Sequence, residues 1–194
     1  ECTTVRYLAQ PGEDVAALVA RAKEDGMEAV GLRGVAYPPL TETLVLPDGL
    51  SLFGGLDESW EDGAERTQLS GPSPVIARHC AGDVSGTISR VSLSSPERSD
   101  GPAIGLLLRA CGPRIIVQDI RVASGEGQGC VGDEMSCEDP SSCGGGSAAV
   151  LVDGGAPELR GVDLACEASA PDVCLAVGCD ATPILADITG DAGG

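Results

Sequence analysis

Three aspartates, Asp119, Asp163 and Asp187, fall at or near matching places in a loosely repeated pattern, with Arg121 beside the first. Carboxylates gathered around calcium with a basic side chain would suit elimination on a polymer, and two opposed carboxylates would suit glycoside hydrolysis. Asp119 and Asp187 share a register, with Gly161 in the layer between them, and no DD pair or compact DxxD marks an active site. The plainer reading is of outward-facing, solvated strand residues. Nucleophilic chemistry has less to work with. The only histidine, His79, stands next to Cys80, and neighbouring residues of a strand face opposite sides. The glycines of CGGGS (143–147) lack the Gly-Lys-Ser/Thr ending of a phosphate-cradling loop. No catalytic or cofactor-binding residue is assigned, and Ca2+ is the one ion the acidity would suit.

Nine cysteines, at positions 2, 80, 111, 130, 137, 143, 166, 174 and 179, carry the other recognisable chemistry. No CxxC occurs, so zinc is a poor account of them. Disulfides in an oxidising compartment explain the number better, which predicts a secreted or cell-surface protein. Cys166 and Cys174 flank the short loop EASAPDV, and Cys80 and Cys111 occupy similar corners of neighbouring layers. Cys130, Cys137 and Cys143 share one loop, where two are expected to pair while the third reaches elsewhere. The net charge of −18, from 30 acidic and 12 basic residues, repels phosphate backbones and anionic lipid. It argues against nucleic acid as a partner. No apolar run is long enough for membrane insertion.

The elements that would position these residues are short strands. Aromatics make up 2% of the chain, against 28 glycines and 13 prolines, so the core must be built from Val, Ile, Leu and Ala between many corners. TVRYLA (4–9) reads as a strand, and residues 15–25 as the one persuasive helix, capped by Asp14 and closed by Gly26. Strand-like runs follow at 28–32, 41–46 and 50–55. Beyond them four segments repeat an apolar-x-x-apolar pattern: ISRVSL (88–93), VQDIRV (117–122), LRGVDL (159–164) and LADITG (185–190). A second strand-like run precedes each one: PVIAR, AIGLLL, AAVLV and CLAV. The loop 124–147 has no apolar periodicity; with roughly half of it removed, the period lies in the high twenties, as in solenoids. The pattern predicts an all-β, right-handed parallel β-helix of about five rungs with an N-terminal capping α-helix. A β-sandwich would instead show a series of tight hairpins.

Within this frame LSLFGGLDESW (50–60) holds the only phenylalanine, Phe53, and the only tryptophan, Trp60, around Gly54 and Gly55. The glycines would turn the chain at the end of a strand, and the two aromatics would cover the end or flank of the first rungs. Residues 4–60, in the order TVRYLA, VAALVARAKEDG, AVGLRGVAYPPLTETLVLPDG, LSLFGGLDESW, resemble the N-terminal part of secreted bacterial proteins with the right-handed parallel β-helix, or pectate-lyase-like, fold. Leu56 stands where that pattern usually has an aromatic. The resemblance implies architecture and capping, and carries no catalytic residue.

Two regions are expected: residues 1–49 as the cap and first rung, and 50–194 as rungs with the Cys-rich insertion at 124–147. The function expected is a secreted or surface structural or adhesive module, with assembly end to end. The alternative is a calcium-dependent polysaccharide lyase or glycoside hydrolase of the same fold. Its partners would be other copies of itself, surface proteins or polysaccharides. The last layer, with Leu185 and Ile188, is the expected assembly end, because an uncapped layer leaves strand edges bare.

Overall fold

The structure, a computed structural model, describes residues 6–99, 102–126, 147–166, 174–178 and 180–192. The one α-helix among the described residues, α1 (Val15–Glu24), starts where the Asp14 carboxylate accepts hydrogen bonds from the amides of Ala16 and Ala17. This satisfies donors that the first turn leaves free. It closes at Gly26, whose φ of 67° suits glycine. Val15, Leu18, Val19 and Ala22 recur at helical spacing, and all four are buried against the first strands.

The other regular elements among the described residues are strands. In chain order these are β1 (Arg6–Ala9), β2 (Ala29–Arg33), β3 (Leu44–Val45), β4 (Ser51–Leu56), β5 (Thr67–Ser70), β6 (Ile76–His79), β7 (Gly86–Ser89), β8 (Val91–Ser95), β9 (Ala103–Cys111), β10 (Ile115–Ser124), β11 (Ser147–Gly155), β12 (Glu158–Cys166), β13 (Leu175–Val177) and β14 (Ile184–Ala192). Among the described residues every pairing between these strands is parallel. Sheet A runs β1-β2-β4-β7-β10-β12-β14, with β5 and β8 paired alongside, and sheet B runs β13-β11-β9-β6-β3. From β2 onward the chain crosses from one sheet to the other and back, and each return pairs with the strand laid down one pass earlier. Parallel neighbours cannot be joined by tight hairpins, so the hairpin-built sandwich does not describe these sheets.

Stacking in register turns the sequence repeat into columns. Val30, Leu52, Ile88, Val117, Leu159 and Leu185 occupy one column of sheet A. Leu44, Ile76, Leu106, Val150 and Leu175 form its counterpart in sheet B. Aliphatic side chains one strand spacing apart fill such columns without rings.

The third residue of each hexamer explains the double gap between its apolar positions. Arg90, Asp119, Gly161 and Asp187 all have left-handed backbones, with φ of 56°, 49°, 56° and 53°. They stack in register across β10, β12 and β14 and the β7–β8 junction. One left-handed residue bends the strand and shifts its alternation by one, so Val117 and Ile120 both point inward.

Candidate functional site

The left-handed column carries a set of paired surface charges. The Arg66 guanidinium donates from Nη2 to Asp119 Oδ1 at 2.6 Å and from Nε to the Asp119 carbonyl at 3.1 Å. Arg90 Nη1 lies 3.7 Å from the other carboxylate oxygen. Arg90 also donates to the Gly63 carbonyl and so holds the loop between β4 and β5. Next to this corner, Arg121 faces Asp163 across adjacent strands, with 3.6 Å between Nε and Oδ2. A polar groove of about 480 Å3 runs past Arg66, Gln68, Arg90, Ser92, Asp119 and Arg121.

Asp119 and Asp187 do stand in one register with Gly161 between them, and Asp163 lies on the neighbouring outward column. Asp119 and Asp163 are each engaged by arginine, and Asp187 is exposed at the last layer. Among the described residues no three His, Cys, Asp or Glu side chains converge as a metal site would require. His79 ends β6 on the exposed side, and the neighbouring Cys80 is not a free thiol. Its sulfur is 2.13 Å from that of Cys111, with the Cα atoms 5.0 Å apart. This bond joins the ends of β6 and β9 in adjacent layers. Cys174 is also disulfide-bonded, but the side chain of Cys166 lies outside the described residues, as do Cys130, Cys137 and Cys143.

At the Gly54–Gly55 corner the reason for glycine is close approach. A Cβ on Gly54 would meet the Arg90 carbonyl at 2.5 Å, and Gly55 combines a φ of 68° with a Cβ position 2.8 Å from the Glu65 carbonyl. Trp60 is half-buried outside the core, with the Arg33 guanidinium 5.4 Å from its ring centroid. Asp57 folds the rest of this loop by accepting from the amides of Ser59 and Glu61. With Leu52 pointing inward, alternation places Phe53 on the outer face of sheet A, half-buried. There it lines a cavity of about 580 Å3 with Lys23, Met27, Glu28, Asp48, Ser51 and Ser85.

Behind that cavity is a residue the sequence reading passed over. Arg78 is completely buried, in the inward column of sheet B with Leu108 and Val152. Its Nη2 donates to the Leu50 and Pro47 carbonyls, while Nε and Nη1 have no partner. Desolvation lowers its pKa to about 10, and the Asp48 carboxylate acts against that shift. Inward-facing Ile76 two positions earlier was the available signal, since alternation points Arg78 the same way.

The far end of the stack is open among the described residues. β14 pairs only with β12, and β13 only with β11. Leu185 and Ile184 are 49% and 48% exposed, whereas Ile188 is partly buried against the core. No family model, curated protein or solved structure matches the chain. Function therefore has to be read from geometry. No described helix is long and apolar enough to cross a membrane.

Proposed function

We propose that the chain is an extracytoplasmic structural or adhesive module built as a right-handed parallel β-helix of about five rungs, extended at the β14 edge by a further strand. The observation that carries the reading is the state of β14. Among the described residues its backbone pairs on one side only, and Leu185 stands in the column of buried Leu159 while remaining half exposed. Bare parallel edges recruit strands, and the strand recruited here belongs to another copy of the chain. The Cys80–Cys111 bond supports an oxidising location. Right-handedness follows from the rule for parallel crossovers.

Light scattering of the 194-residue chain at rising salt and calcium tests the assembly. Self-repulsion from a net charge of −18 opposes association, and screening relieves it. Association should therefore rise with ionic strength and fall when Leu185 is changed to Lys. A species that stays monomeric across the whole range, at high concentration, removes the end-to-end part of the reading.

A further inference from the structure

We propose that the cavity containing Phe53 binds a neutral sugar, one pyranose ring of an uncharged glycan. The proposal rests on the adhesive half of the function above and supplies its partner class. The chain has a single phenylalanine, and the fold sets it in this cavity instead of the core. Its neighbours in the outward column are Gly31 on β2 and Ser89 on β7. The Leu8 and Leu56 side chains cover the Gly31 side and Ser89 is buried, so the half-buried ring lines the cavity with its remaining surface. An aromatic face is a natural support for the apolar C–H face of a pyranose, and Met27 extends the apolar surface beside it.

The polar groups around that surface suit hydroxyls. Glu28 and Asp48 offer charged acceptors, Lys23 offers donors, and Ser85 offers both. The same groups select against charged ligands. Lys23 and the buried Arg78 behind the turn are two positive charges, and Glu28 and Asp48 are two negative ones. The local balance is neutral, so a uronate or a quaternary ammonium meets a like charge without a surplus of the opposite one. A volume of about 580 Å3 lies within the range of small-ligand sites and accommodates one or two rings.

The wall of the cavity is also unusually fixed for a surface turn. Arg78 grips the Pro47 and Leu50 carbonyls from inside, at the expense of two unpartnered nitrogens. From outside, Asp48 Oδ2 accepts from the Ala81 amide at 3.2 Å, and Ser51 Oγ accepts from the Thr87 amide at 3.1 Å. A Cβ on Gly86 would fall 2.1 Å from Arg78 Nη1, so glycine is what lets the guanidinium reach this turn. A wall held from both sides loses little freedom on binding, which is how a shallow site gains affinity.

Titration calorimetry on the 194-residue chain tests the proposal with methyl glucoside, methyl galactoside, methyl mannoside and their disaccharides, beside galacturonate and choline. At least one neutral sugar should bind saturably, and galacturonate and choline should bind at least about tenfold more weakly. Phe53→Leu should weaken the sugar by about tenfold or more, Phe53→Tyr should restore it, and Glu28→Gln should weaken it severalfold. Thermal melts check that each variant folds. Glu28 is exposed, so its variant decides the matter if Phe53→Leu does not fold. Absence of any neutral-sugar binding, preference for galacturonate or choline, or unchanged binding in folded Phe53→Leu or in Glu28→Gln would overturn the proposal. Scattering on the same samples reads assembly separately: sugar binding without association leaves this site standing, and association without sugar binding removes it.

Discussion

β12 and β14 carry the same six-residue pattern, LRGVDL and LADITG, pair with each other in register, and differ in what they bury. Leu159 is 1% exposed and Leu185 is 49% exposed. Both strands turn at a left-handed third residue, Gly161 and Asp187. The hexamer therefore specifies the strand and its bend, while burial of its apolar positions depends on a layer stacked on each side. A layer in such a stack cannot complete its own core. Sequence pattern and stability are separable here, and the two strands separate them within one molecule.

The largest expected effect is on the covalent link between inner layers. Changing both Cys80 and Cys111 to Ala opens a loop of sequence separation 31, and chain entropy puts the loss at about 3–4 kcal/mol. Hydrogen exchange should quicken in β6 and β9 and leave β14 at its own rate. Uniform quickening would show that inner layers and edge unfold as one unit. The direct comparison comes next. Leu159→Ala should cost about 2–4 kcal/mol in urea melts, as buried leucines do, and Leu185→Ala less than about 1. Equal costs would mean that Leu185 is covered in solution.

Smaller effects probe the bend. Gly161→Ala meets nothing nearer than 3.7 Å, so only its left-handed backbone opposes the change, at about 1 kcal/mol. Asp187→Gly should instead stabilise slightly, whereas Asp119→Gly gives up the Arg66 bond and should not. The smallest concerns the capped end. Burial pushes the Tyr37 hydroxyl above its ordinary value of 10.0, and the oxygen donates to the Ala9 carbonyl and accepts from the Arg33 amide. Its folded pKa is the higher one, so its contribution is complete below pH 10 and is lost as pH rises through the folded value. The stability difference between wild type and Tyr37→Phe should shrink above pH 10. A difference constant to pH 11 would contradict this sign.

Much of the parallel strand order was legible because aliphatic columns leave a periodic trace: VQDIRV, LRGVDL and LADITG lie wholly inside β10, β12 and β14. ISRVSL is divided at Arg90 between β7 and β8. Glycine and aspartate at the third position hinted at the bend, but arginine at Arg90 hid the rule. β5 escaped because TQLS offers only a four-residue alternation. Phe53 was expected to cover the end or flank of the first layers, and alternation from Leu52 sets it on the outer face of sheet A. The partnership of Arg66 with Asp119 spans 53 residues, and no local pattern could announce it. The cavity beside Phe53 draws on three separate stretches that only the fold brings together.

Parallel layering also fixes how the molecule should yield when its two ends are pulled apart. Hydrogen bonds between parallel strands run from one layer to the next, so tension along the stack opens them in sequence like a zipper instead of loading them all in shear. Extension should therefore proceed at low force, one layer at a time, from whichever end is weaker. The exception is the segment from 80 to 111, whose ends are covalently tied: force passes through the sulfur bridge, and that length of chain stays out of reach until the bridge is reduced.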